Sequence, residues 1–132
     1  MLKKFLLLCI IQLFVINTSI SMEKETTFNK KLFDKAQSEG KIVIISSWIK
    51  YCSSCASQMK VLNQAKNEGK LLDVNFQNIE YFSFDVTNKE IAELFNVKFQ
   101  TTLLIFKDKK EVYRSLGETT EDLIYQALKK TI

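Results

Sequence analysis

The sequence predicts an α/β sandwich built on a mixed sheet. Three observations carry that prediction: helical and strand-like segments alternate along the chain; Ile42, Val43, Ile44 and Ile45 form a run that is apolar on both faces of a strand; and two strand-like segments near the C-terminus are joined by a short polar turn, as in a hairpin. With 132 residues, 46% of them apolar and 26% charged, one compact domain is expected, which excludes a two-domain enzyme and a disordered chain.

The elements follow in order. Phe28, Leu32, Phe33 and Ala36 share one helical face, and Gly40 ends that helix. Residues 41–48 read as a strand rich in β-branched side chains and lead directly into two cysteines. From residue 53 to 68 the spacing of Cys55, Met59, Leu62 and Ala65 is helical, with Gly69 as the stop. Residues 70–78 fit neither period. Residues 79–86 read as a second strand, and Thr87 and Glu90 have capping-box spacing ahead of a helix that buries Ile91, Leu94 and Phe95. Residues 102–106 and 111–116 form the hairpin around the turn at 107–110. A last helix starts near Thr119 or Thr120 and buries Leu123, Ile124, Ala127 and Leu128. The chain has no proline and three glycines, so its turns must come largely from Asn, Asp, Ser and Thr. Phe82, Phe84, Phe99 and Phe106 are expected in the core.

Ahead of this domain, residues 1–21 have the layout of a secretory signal peptide: Lys3 and Lys4, an apolar run over residues 5–16 broken only by Gln12, then Ser19 and Ser21 at the small positions before a cleavage site. The 12-residue run is short of the roughly 20 residues that span a bilayer, which ranks an uncleaved anchor second and a buried N-terminal helix third. A lipoprotein is disfavoured because Cys9 follows Leu8 and lies early in the run. Cleavage after Ser21 leaves residues 22–132 as the domain and, with Lys3 and Lys4 gone from 19 basic residues against 15 acidic, a net charge of +2. No basic block is then available for phosphates, so nucleic acid is not an expected partner.

The chain has no histidine, which excludes Ser-His-Asp and Cys-His catalysis and every imidazole-ligated zinc site. Chemical interest falls on Cys52-Ser53-Ser54-Cys55, at a strand-to-helix junction. Unpaired N–H groups of the helix's first turn place Cys52 in a positive potential worth up to about 2 kcal/mol, which lowers its pKa by up to about one and a half units. Lys50, Ser53 and Ser54 can add charge or hydrogen bonds. Cys55, one turn into the helix, is expected to be more buried and to resolve a mixed disulfide by attacking Cys52. Two other readings stand beside this one. A structural bridge of that span removes only about 2 kcal/mol of unfolded-chain entropy, and a zinc half-site needs further ligands from carboxylates or a second chain.

Three segments resemble the thioredoxin family, over residues 41–132. Trp48-Ile49-Lys50-Tyr51-Cys52-Ser53-Ser54-Cys55 is similar to its Trp-x-x-Trp-Cys-x-x-Cys segment. Phe95 to Phe106 is similar to its aromatic-Gly-Val-x-x-x-Pro-Thr segment and following strand, and Gly117 matches a glycine after the hairpin. The resemblance implies a three-layer sandwich, a mixed central sheet flanked by helices, with Cys52 as exposed nucleophile and Cys55 as resolving thiol. Three positions depart from the family. Thr101 stands where the family has a cis-proline facing the cysteines, Ser46 where it has a buried acid, and Tyr81 near the position of that acid's lysine partner, so the buried charged pair is absent as a unit. The Gln100-Thr101 bond is expected to be trans, since a cis bond before a non-proline residue costs about 2.5 to 4 kcal/mol. Its hydroxyl is expected near the Cys52 sulfur, and Thr101→Pro is expected to speed reduction of a protein disulfide.

The expectation is an exported thiol-disulfide oxidoreductase whose catalytic residues are Cys52 and Cys55, with Trp48, Tyr51, Gln100 and Thr101 receiving the substrate. It requires no metal and no cofactor beyond the cysteine pair. Its partners are protein thiols or disulfides and a membrane-bound or soluble redox protein, its compartment the bacterial periplasm, its state a monomer. The alternative is a binding module of the same fold with a redox-inert, structural or metal-holding pair.

Overall fold

The computed structural model describes residues 24–71, 74–75 and 78–131. The expected signal peptide, with its cleavage site and Cys9, lies outside these residues. In chain order the elements are α1 (Lys30–Ser38), β1 (Ile42–Trp48), α2 (Ser53–Glu68), β2 (Lys70–Leu71), β3 (Val74–Asn75), β4 (Ile79–Asp85), α3 (Lys89–Leu94), β5 (Thr102–Lys107), β6 (Lys110–Leu116) and α4 (Glu121–Lys129). The segment that fits neither period pairs β2 with β3 antiparallel in a small separate sheet.

The main sheet has the order β4-β1-β5-β6. β1 runs parallel to β4 and antiparallel to β5, and β5 is antiparallel to β6, so the sheet is mixed. Asp108 and Lys109, both with positive φ, make the two-residue turn between β5 and β6, the conformation that matches the twist of a hairpin.

Successive residues of β1 face opposite ways, and both faces are covered. Ile44 packs with Leu62, Ala65, Ile124 and Leu128 of α2 and α4. Val43 and Ile45 pack on the other side with Phe33, Ala36 and Phe95, from α1 and the end of α3. This double burial is the physical basis of the uninterrupted apolar run in β1.

Several expectations need correction. Leu32, Leu94 and Leu123 are about half exposed, while the residues that follow them, Phe33, Phe95 and Ile124, are buried. One residue is a rotation of about 100° around a helix, enough to move a leucine from the centre of the buried stripe to its edge. Phe99 is 60% exposed, because it lies in the loop before β5 and not in a strand. The cap of α3 is Asn88, whose side chain accepts from the Ile91 N–H, while the Thr87 hydroxyl donates instead to Asp85 at 2.8 Å.

Candidate active site

The site forms at the carboxyl ends of the parallel strands β1 and β4, where Trp48 lies opposite Asp85. β1 ends at Trp48, the chain turns through Tyr51 with φ of 63°, and α2 begins immediately after Cys52. Cys52 is the N-cap of α2. Its sulfur accepts from the Cys55 N–H at 3.1 Å and its carbonyl accepts from the Ala56 N–H, so the sulfur occupies the place a capping oxygen usually takes. That placement exposes the sulfur to the positive end of the helix.

Cys52 and Cys55 are joined as a disulfide. The two differ in burial: Cys55 is fully buried with Met59 and Trp48, and Cys52 is half-buried at the rim of that cluster. Trp48, expected on the docking surface beside Tyr51, is instead 8% exposed and forms the floor beneath Cys55, while Tyr51 is 91% exposed. The indole therefore supports the disulfide from within, and only the tyrosine reaches outward. The Lys50 ammonium lies over the Tyr51 ring, 5.1 Å from its centre.

Thr101 faces the disulfide from the loop before β5. Its hydroxyl oxygen lies 3.3 Å from the Cys55 sulfur, 3.3 Å from the Ser54 hydroxyl and 3.7 Å from the Cys52 sulfur. The contact with Cys55 is thus shorter than the one expected with Cys52. Ser54 closes the triangle, its oxygen 3.3 Å from the Cys52 sulfur. The Gln100-Thr101 peptide is trans, and Thr101 has a φ of 61°. A β-branched residue in the left-handed region costs on the order of 1 to 3 kcal/mol and persists only where its surroundings over-determine it. The Thr101 N–H donates to the Ser47 carbonyl at 2.8 Å, and its carbonyl accepts from the Gly117 N–H at 3.0 Å and from the Gln58 amide at 3.3 Å. Proline can supply neither that φ nor that N–H, so the expectation for Thr101→Pro is revised: the loop has to be rebuilt to admit it. Gln100, in the same loop, is exposed.

Sequence reasoning overlooked Gln58. One turn beyond Cys55, it is fully buried, and its amide donates to the carbonyls of Thr101 and Glu118, the latter at 3.0 Å, tying α2 to both loops that border the disulfide. The only signal available was a glutamine three residues after a cysteine on an apolar helix face. Phe99, expected in the core, and Leu116, which the sequence did not single out, are 60% and 59% exposed; with Val97 and Thr102 they line a groove on the Thr101 side of the site.

Beneath the site, the Ser46 hydroxyl and the Tyr81 phenol meet at 2.5 Å, both buried. The two positions that depart from the family's charged pair therefore remain paired, with a neutral hydrogen bond in place of an ion pair. Burial pushes the Tyr81 phenol well above its usual range, partly offset by its hydrogen bond to Ser46, so it stays protonated.

Comparison with known proteins agrees with this geometry. A thioredoxin family model matches residues 19–130. The chain is 28% identical over 100 residues to a thioredoxin H-type of Fagopyrum esculentum, covering 75% of this chain and 79% of that protein. It is 31% identical over 100 residues to one from Oryza sativa subsp. indica, covering 72% and 76%. Among solved structures, Trxlp of Edwardsiella tarda EIB202 superposes with a TM-score of 0.65 at 23% identity, over 75% of this chain and 92% of that one. Fasciola hepatica thioredoxin superposes at 0.61 with 22% identity, over 76% and 88%. The structural likenesses show the fold, and the paired cysteines at the mouth of α2 support thiol-disulfide oxidoreductase activity in general. By its family match and its sequence relatives, this chain belongs to the thioredoxin family.

Proposed function

We propose that this protein is an exported thiol-disulfide oxidoreductase that exchanges electrons with the cysteines of protein substrates through Cys52 and Cys55. The observation that carries the reading is the asymmetric burial of the pair: one sulfur half-exposed at the start of a helix, the other enclosed behind it. In the reducing direction, the Cys52 thiolate attacks a substrate disulfide, forming a Cys52–substrate bond and releasing one substrate thiolate, which takes a proton. Cys55, losing its own proton, then attacks the Cys52 sulfur and releases the second substrate thiol. The protein's dithiol becomes the disulfide as two electrons pass to the substrate, and a dithiol donor, soluble or membrane-bound, restores it. The oxidising direction is the same sequence reversed. Tyr51, Gln100 and Thr101 border the path by which a substrate segment approaches Cys52, and Trp48 supports it from below. Export rests on the signal-peptide layout of residues 1–21, and the periplasm is the compartment that layout and the redox pair together favour.

The test is turnover of a disulfide-bonded protein such as insulin, with dithiothreitol as electron donor. The parent and a distant surface variant, Lys31→Gln, should turn it over, Cys52→Ser should not, and Cys55→Ser should accumulate a Cys52-linked mixed disulfide visible by mass. No turnover by the parent, with the pair inert to reductant, points to the binding module instead.

A further inference from the structure

The chain ahead of α1 is not a passive lead-in. Thr27 and Phe28 donate their N–H groups to the Ser83 carbonyl, the Thr27 hydroxyl accepts from the Ser83 N–H, the Ser83 hydroxyl donates to the Glu25 carbonyl, and the Thr26 hydroxyl accepts from the Asp85 N–H. Residues 25–28 thus lie along the outer edge of β4, up to its carboxyl end. There Lys24 leaves the edge and crosses to the loop between β1 and α2. Its half-buried ammonium donates to the Ile49 carbonyl at 3.0 Å and to the Cys52 carbonyl at 2.7 Å. We propose that Lys24 is a positioning residue for the redox chemistry: a cation strapped to the backbone of Cys52 that stabilises its thiolate and favours the reduced pair.

The geometry supports the electrostatics. With the ammonium 2.7 Å from the Cys52 carbonyl oxygen, covalent geometry keeps the sulfur of the same residue within about 8 Å of it. At that range, in surroundings between protein surface and water, a unit charge moves a thiol pKa by about half a unit, roughly a threefold change in thiolate fraction near neutral pH. This adds to the contribution of the helix start, which acts on the same sulfur from the other side of the residue. Among the described residues, the other charged groups on the surrounding elements make their contacts elsewhere or are exposed. Lys50 lies over the Tyr51 ring, Asp85 accepts from the Thr87 N–H and hydroxyl, Glu118 accepts from Tyr113 and Ser115, and Glu25 and Lys98 are exposed. A thiolate favoured by a cation costs less to form from the disulfide, so Lys24 also raises the reduction potential of the pair.

The inference rests on the proposed redox function, but its readouts need no protein substrate. In the protein as recovered from the cell and reduced with dithiothreitol, the rate of Cys52 alkylation by iodoacetamide is followed against pH. Lys24→Gln should move the midpoint up by about half a unit, Lys24→Arg should restore it, and 1 M salt should bring parent and Lys24→Gln together, because the Debye length is then about 3 Å. Equilibration with glutathione should show Lys24→Gln oxidised at a lower fraction of glutathione disulfide than the parent. Coincident pH profiles for the parent and Lys24→Gln, or a Lys24→Arg profile like that of Lys24→Gln, overturn the inference. A lowered melting temperature with an unchanged profile makes the strap structural only and overturns it equally. If Lys24→Gln does not fold, Lys24→Met, which keeps the aliphatic stem without the charge, takes its place: its midpoint must rise as expected for Lys24→Gln, and a parent-like profile overturns the inference. Failure of the functional reading looks different, as a parent that shows these profiles yet turns over no protein disulfide.

Discussion

Replacing Thr101 with valine removes one hydroxyl and little else. Valine has nearly the shape of threonine and the same branching at Cβ, so the strain of a φ at 61° is retained while the contacts to Ser54, Cys55 and Cys52 are lost. In the disulfide state the hydroxyl faces neutral sulfurs, where a hydrogen bond is worth about 0.5 to 1.5 kcal/mol. After reduction it faces a site that carries a thiolate, where a charge-assisted bond is worth about 1.5 to 3 kcal/mol. The difference, about 1 to 1.5 kcal/mol, favours the reduced form. Thr101→Val should therefore raise the Cys52 pKa by about one unit and lower the reduction potential by about 20 to 30 mV. Trp48 is the single tryptophan and packs against Cys55, so its fluorescence reports the redox state during titration with glutathione. Thr101→Ser keeps the hydroxyl and should stay near the parent in both quantities. A valine variant with the parent's potential and pKa would refute a role for the hydroxyl in holding the thiolate.

Thr101→Pro forfeits the N–H bond to Ser47 and the observed φ, and should lower the melting temperature by roughly 10 °C or more; a parent-like melt contradicts the loop geometry. Ser46→Asp places a carboxylate in a fully buried site beside a neutral phenol and should cost about 3 to 5 kcal/mol in denaturant unfolding. Adding Tyr81→Lys should recover at least about 1 kcal/mol of that, and strictly additive losses would show that the two positions do not couple. Because the folded protein holds the Tyr81 proton more tightly than the unfolded chain does, its contribution to stability is complete below about pH 10 and declines above it, by up to about 1.4 kcal/mol per pH unit. Tyr81→Phe should be less stable than the parent at pH 8, through the lost bond to Ser46, and should show a shallower loss between pH 10 and 11; parallel curves over that interval rule the effect out.

Much of this protein was legible in its sequence because the signals are local. Hydrophobic period, glycine stops and polar caps act over a few residues, and they place α2 at residues 53–68, the hairpin at its turn and Cys52 at the start of a helix without reference to anything distant. The buried run of β1 even announces that both faces of the sheet are covered. What the tertiary structure alone decides is which of several compatible environments each side chain enters. Tyr81 reaches Ser46, 35 residues away in the chain, because β1 and β4 run parallel in a register that sets Ile44 opposite Tyr81, a pairing that no local pattern encodes. Trp48 turns inward because its place at the end of β1 seats it against Cys55 and Met59, and Phe99 turns outward because it lies in the loop before β5. Thr101 takes a conformation its own chemistry disfavours because Ser47, Gln58 and Gly117, from three separate parts of the chain, hold its backbone there. Lys24 reads in sequence as one more charge in a polar lead-in. Only the β4 edge, by pairing with the residues that follow it, carries its ammonium to the backbone of Cys52.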